Sequence, residues 1–203
     1  MKEFPKITII MRGYSVKEAR CIVEAAKDFY KEIAFEVTMN TINAPEIIRK
    51  LNKEFGKQQV IGAGTVLSFE QEIEAIDAGA QFILSACPFT KEMVEYAKAK
   101  GVLTVPGVFT PDEALKMKKL GVDIIKIFPA SIVGPSYFSA IQGPLDKLSL
   151  MAVGGISASN CHEYLTHGAS YVGIGSKAFD PKNIEQQNYK KIREDIRNLV
   201  DSI

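Results

Sequence analysis

A lysine stands in the middle of an apolar run. In Asp123-Ile124-Ile125-Lys126-Ile127-Phe128-Pro129 the neighbours of Lys126 are β-branched or aromatic and the run is short, as in a buried parallel strand. Burying an ammonium without a partner is costly, so such a lysine tends to lose its proton. A neutral amine at a strand end is a nucleophile toward carbonyl carbon. The bland alternative is a lysine whose stem lies in the core while its amine reaches the rim. Glu36 stands in an equally apolar stretch, Ala34-Phe35-Glu36-Val37. It is either the ion-pair partner of Lys126 or a general acid/base beside an imine, and both readings place the two residues side by side.

Glycine turns supply a second kind of chemistry. Gly154-Gly155-Ile156 and Gly173-Ile174-Gly175-Ser176 each follow or end an apolar run. Backbone N–H groups in such turns cradle phosphate, although tight turning alone also explains glycine. Gly62-Ala63-Gly64-Thr65 suits close approach of a carboxylate to the backbone, with a hydroxyl added by Thr65. A strand-to-helix turn explains it equally well. Arg12 offers a fork to a carboxylate or a phosphate, or makes a surface ion pair.

These residues sit at the ends of regularly alternating elements. Strands are expected at 7–11, 33–38, 60–65, 81–85, 102–105, 123–128, 148–152 and 171–174. Helices are expected at 15–29, 44–55, 68–78, 91–100, from Pro111, 137–142, 159–166 and 184–203. Ser15 with Glu18 forms a capping box, Ser68 and Ser159 are expected N-caps, and Pro111 fits a first helical turn. The chain of 203 residues thus divides into strand–helix units of about 25 residues, a compact (β/α)₈ TIM barrel formed as one domain over 1–203. A doubly wound open sheet is the competitor, but no dinucleotide fingerprint accompanies it. In a barrel, chemistry belongs at the C-terminal strand ends. Those ends carry Arg12; Glu36, Thr38 and Asn40; Gly64 and Thr65; Ser85; Pro106; Lys126; Gly154 and Gly155; and Gly175 and Ser176.

Composition excludes several other classes. Hydrophobic residues make up 46% and the net charge is +1, which leaves no field for nucleic acid or an anionic membrane. No apolar run has the length of a membrane span, and Met1-Lys2-Glu3-Phe4-Pro5-Lys6 lacks the apolar segment of a signal peptide. Cys21, Cys87 and Cys161 are dispersed and odd in number, which is expected of reduced thiols in a cytoplasmic protein. His162 and His167 are not spaced to share one helix face, so no metal site is expected.

Taken together, six segments resemble the 2-keto-3-deoxy-6-phosphogluconate (KDPG) and 4-hydroxy-2-oxoglutarate (KHG) aldolase family. They are Phe35-Glu36-Val37-Thr38, Gly62-Ala63-Gly64-Thr65-Val66, Val105-Pro106-Gly107, Lys126-Ile127-Phe128-Pro129-Ala130, Gly154-Gly155-Ile156 and Gly175-Ser176. They occur in the family's order across the whole chain. The resemblance implies a (β/α)₈ barrel, a homotrimer, and a class I aldolase of carbohydrate metabolism of the Entner–Doudoroff kind, needing no metal or cofactor. It implies Lys126 as the Schiff-base lysine and Glu36 as the general acid/base. It further implies Gly64, Thr65 and Arg12 at the substrate carboxylate, and Gly154, Gly155, Gly175 and Ser176 at the phosphate. Thr38, Asn40, Ser85, Pro106, Phe128 and Val153 would line the pocket.

Three positions depart from the pattern. Asn40 stands where the family often has a substrate-binding arginine, and Arg12 on the adjacent strand is the available replacement. Val153 stands where a threonine is common, near the position of the sugar's C4. Ser85-Ala86-Cys87-Pro88 has one more residue than the usual Ser-Pro. The reaction expected is reversible cleavage of a KDPG-like 2-keto-3-deoxy-6-phospho sugar acid to pyruvate and glyceraldehyde 3-phosphate. The galactonate epimer and 4-hydroxy-2-oxoglutarate are alternative substrates. A phosphosugar isomerase or epimerase, or a non-catalytic phosphosugar-acid binder, would use the same barrel without an imine.

Overall fold

The computed structural model describes residues 4–203. Met1, Lys2 and Glu3 of the N-terminal stretch read above for a signal peptide lie outside the described residues. The strands are β1 (Ile7–Met11), β2 (Ile33–Thr38), β3 (Val60–Gly64), β4 (Phe82–Leu84), β5 (Leu103–Val105), β6 (Gly107–Val108), β7 (Ile125–Ile127), β8 (Leu150–Val153) and β9 (Tyr171–Ile174). All paired strands are parallel, in the order β5-β4-β3-β2-β1-β9-β8-β7-β6. The ninth strand is only apparent. Pro106 has no N–H to donate, so the fifth strand, expected to end at 105, is interrupted there and resumes as β6. The ladder continues across it: Ile124 N–H donates to Thr104 O and Lys126 N–H donates to Pro106 O. That ladder closes the ring, so the eightfold barrel holds.

Helices α1 (Val16–Ala25), α2 (Ala44–Phe55), α3 (Phe69–Asp77), α4 (Lys91–Lys100) and α5 (Pro111–Leu120) follow the first five units. The Ser15–Glu18 capping box is formed in both directions, and Ser68 Oγ accepts from Gln71 N–H. The later units are more broken than the periodicity suggests. Three short helices, α6 (Ala130–Val133), α7 (Ser136–Ala140) and α8 (Gln142–Leu145), replace the single one expected. Helix α9 (Cys161–Thr166) has Asn160 at its cap position, because Ser159 Oγ is engaged with Ser157 Oγ at 2.9 Å. The last helix divides into α10 (Pro181–Glu185) and α11 (Tyr189–Val200), with Gln187 at φ +49° between them. Helix α1 stops at Ala25, and a 3₁₀ turn, Lys27–Phe29, completes the segment.

The pleat decides which side chains enter the barrel. Ala34, Ile124, Met151 and Val153 pack inside it with Phe82 and Leu84. Phe4 closes the N-terminal end with edge-on ring contacts to Phe82 and Tyr171 at 5.2 and 5.6 Å. A buried phenylalanine such as Phe82 contributes about 3–5 kcal/mol, judged by truncation to alanine. Glu36 and Lys126 lie two residues beyond Ala34 and Ile124 and so share their inward face, one layer closer to the C-terminal mouth. The larger cluster, including Ile9, Phe35, Ile47, Leu51 and Ile127, fills the space between barrel and helices.

Candidate active site

A cavity of about 180 Å³ opens at the C-terminal end of the strands. It is lined by Arg12, Glu36, Thr65, Lys126, Phe128, Val153, Gly154, Gly155, Gly175 and Ser176, together with Ile10, Ala86, Ile156, Gly173 and Lys177. Residues from β1, β2, β7, β8 and the loops after β3, β4 and β9 thus meet at one place. Beyond Arg12 and Ser176 it adjoins a wider basin of about 470 Å³.

Lys126 is 5% exposed and Glu36 is 1% exposed. Burial pushes the Lys126 ammonium down to about 8; the Arg12 charge adds to this, while Glu36 and Cys87 oppose it. Burial likewise pushes the Glu36 carboxyl up, against the pull of Lys126 and Arg12. Both groups are therefore biased toward their neutral forms. They do not make a contact ion pair: none of the ion pairs within 4.0 Å among the described residues includes either of them. Glu36 Oε2 is buried with no hydrogen-bond partner in the chain. Lys126 Nζ lies 4.7 Å from the centre of the Phe128 ring. An amine and a carboxyl kept apart and unpaired in one cavity can exchange protons with a bound molecule rather than neutralise each other.

Thr65 adopts φ +54°, a conformation that β-branched residues rarely take. Its hydroxyl accepts from Arg12 Nη2 at 3.3 Å, and Arg12 Nη1 donates to Asn40 Oδ1 at 2.9 Å. Arg12 is thereby turned toward the β2–β3 side of the mouth. Gly154 (φ +97°) and Gly155 (φ +80°) form the opposite wall. A side chain on Gly155 would meet Ser131 Cβ at 2.6 Å, so glycine is required there by space as well as by backbone. The Gly154 carbonyl accepts from Ser131 N–H and the Gly155 carbonyl from Asn160 Nδ2, both at 3.0 Å.

Four residues expected on the wall do not line the cavity. Thr38 is buried, its hydroxyl 2.9 Å from that of Thr41. Asn40 is turned to Arg12. Ser85 Oγ accepts from Cys87 N–H at 3.0 Å, closing the loop whose Ala86 does reach the cavity. Pro106 serves the ladder to Lys126. Gly64 lies beneath Glu36, and the carboxylate fills the space that a residue-64 side chain would occupy. Lys177 was not expected; its only sequence signal is a cation directly after the Gly175-Ser176 turn.

Residues 3–194 match the family described as KDPG and KHG aldolase. The chain belongs to that family. It is accordingly an aldolase, a carbon–carbon lyase. Among its relatives, a protein of Rhizobium meliloti (strain 1021) named as a 2-dehydro-3-deoxy-6-phosphogalactonate aldolase is 35% identical over 176 residues, spanning 85% of this chain and 81% of that one. A 2-dehydro-3-deoxy-phosphogluconate aldolase of Treponema pallidum (strain Nichols) is 35% identical over 158 residues, spanning 77% and 74%. A solved structure, the KDPG aldolase of Legionella pneumophila with pyruvate captured as a covalent carbinolamine, superposes with TM-score 0.83 at 27% identity, covering 94% of this chain and 92% of that one.

Other features of the chain stand apart from this site. Among the described residues no three His, Cys, Asp or Glu side chains converge on a metal position, and no helix is long and apolar enough to cross a membrane. Cys21, Cys87 and Cys161 are free thiols.

Proposed function

We propose that the chain is a class I aldolase that cleaves 2-keto-3-deoxy-6-phospho sugar acids through an imine on Lys126. The reading rests on one observation above all: a buried lysine without an ion-pair partner shares a cavity with a buried carboxyl whose Oε2 has no hydrogen-bond partner in the chain. Neutral Lys126 Nζ adds to the C2 ketone, and the resulting carbinolamine loses water as Glu36 supplies a proton to the departing oxygen. That loss leaves the protonated imine, which is the electron sink. Glu36, now a carboxylate, removes the C4 hydroxyl proton. The C3–C4 bond breaks, glyceraldehyde 3-phosphate leaves, and its electron pair forms the enamine. Protonation of the enamine at C3 and addition of water to the imine release pyruvate and restore the amine. The iminium does the work of a Lewis acid, so no metal is needed.

Substrate ends are assigned by charge. Arg12 with Thr65 receives the carboxylate, and Gly154, Gly155, Gly175 and Ser176, with Lys177, receive the phosphate. Between the C4 epimers, Val153 removes a contact that would hold the gluconate, which leaves the galactonate as a substrate. It presents methyl groups where a threonine would offer a hydroxyl to C4, and the Rhizobium meliloti relative carries the galactonate name. A cytoplasmic homotrimer on the family plan is part of the same proposal. The test is incubation with pyruvate and borohydride followed by peptide mass analysis. A reduced pyruvyl adduct on Lys126 is expected; a protein that stays unmodified would sink the reading in favour of an isomerase or a binder.

A further inference from the structure

Asn40 does not touch the cavity, yet it occupies a firmly built position beside it. The turn over 38–41 is tied on three sides. Thr41 N–H donates to Thr38 O at 2.8 Å, Met39 N–H donates to Gly64 O at 2.7 Å, and Gly13 N–H donates to Thr41 Oγ1 at 2.9 Å. The Thr38 and Thr41 hydroxyls are 2.9 Å apart and both residues are buried. The segments that follow β1 and β2 are therefore linked twice, by Gly13 N–H donating to the Thr41 hydroxyl and by Arg12 donating to Asn40 through the side chains.

Arg12 needs such a guide. It is long, exposed, and lies between β9 and β2, both of which pair with β1. Left free, its guanidinium would sample rotamers toward either Ser176 or Thr65, and ordering it would weaken any ligand it bound. Asn40 Oδ1 accepts from one arm of the fork and leaves other N–H groups to a ligand. A neutral amide is suited to this. A carboxylate at the same place would orient the fork equally but cancel the charge that an anionic substrate must feel, and a second cation would repel it.

We infer that Asn40 is a positioning residue that holds the Arg12 guanidinium over the Thr65 side of the cavity, where it receives the carboxylate of the 2-keto acid and keeps a fixed positive charge beside Lys126. The inference rests on the Schiff-base reading above. The Arg12 charge disfavours the Lys126 ammonium, so Asn40 would act on both carboxylate binding and amine protonation.

Borohydride trapping with the full chain separates these effects, with pyruvate concentration and pH as variables. Asn40→Leu should raise the half-saturating pyruvate concentration about tenfold, the usual loss for a charge-assisted contact, and move the pH midpoint of trapping upward. Asn40→Asp should hold the fork but still move the midpoint upward, because its charge screens Arg12. On an Arg12→Ala background, Asn40→Leu should add nothing further. Wild-type pyruvate dependence in Asn40→Leu, or a full additional loss on the Arg12→Ala background, would overturn the inference while leaving the imine intact. Failure of the wild-type chain to trap pyruvate would overturn the imine reading and this one with it.

Discussion

The carboxylate of Glu36 lies in the space that a side chain on Gly64 would need. Paired strands β2 and β3 set this contact, with Thr38 opposite Gly64 and Glu36 opposite Gly62 in the register. Glycine at 64 is thus part of how the acid/base group is placed. Gly64→Ala should drive Glu36 from the cavity and lower kcat/KM by about 100-fold or more, the range for losing a general acid/base. Circular dichroism should still report a folded barrel. Unchanged kcat/KM in a folded variant would mean that Glu36 adapts and that its location is not critical.

Lys126 makes the fold less stable than it would otherwise be. Its amine holds a proton below about 8 in the folded chain and below an ordinary lysine value of 10.5 when unfolded. Between those values the unfolded chain binds more protons, so this group's contribution to stability rises with pH across that window. Lys126→Met should therefore be more stable than wild type by on the order of 1–3 kcal/mol at neutral pH. The gap should narrow from pH 8 upward. Urea denaturation at pH 7 and pH 9.5 measures it, and a gap that widens at the higher pH would contradict the buried, weakly basic amine.

Glu72 on α3 behaves in the opposite sense. It is 0% exposed, and neither carboxyl oxygen has a partner in the chain. Burial first, and the charge of Glu92 second, push it up to about 7. The folded chain binds more protons than the unfolded chain between pH 4.5 and 7, so stability falls as pH rises through that window. Glu72→Gln should remove this slope and be the more stable protein at pH 8 by on the order of 1–3 kcal/mol. Parallel urea curves for the two proteins at pH 5 and pH 8 provide the comparison. An equal pH dependence in both would place the titrating group elsewhere.

Lys177 is the cation on the glycine-turn side of the cavity, as Arg12 is on the other. Lys177→Met should raise KM for phosphorylated 2-keto-3-deoxy acids about tenfold and leave that for 4-hydroxy-2-oxoglutarate unchanged. Steady-state kinetics on the gluconate and galactonate epimers and on 4-hydroxy-2-oxoglutarate make the comparison, and also test whether the galactonate is preferred. An equal rise for the unphosphorylated acid would assign Lys177 to something other than phosphate.

The alternation of strands and helices, and the two charged residues inside it, can be read from the residue order alone. Lys126 and Glu36 were legible because a charge inside a short apolar run is a local anomaly, and local patterns survive in one dimension. The glycine pair Gly154-Gly155 was legible for the same reason. Direction and distance were not. Thr38 and Asn40 follow Glu36 by two and four residues, yet Thr38 is tied to Thr41 and Asn40 to Arg12, and neither lines the cavity. The unusual backbone of Thr65, the contact of Glu36 with Gly64, and the presence of Lys177 and Gly155 around one cavity all depend on how separate strand ends are brought together. Only closure of the barrel decides this, because it forces each strand end to accept the neighbours that the ring provides.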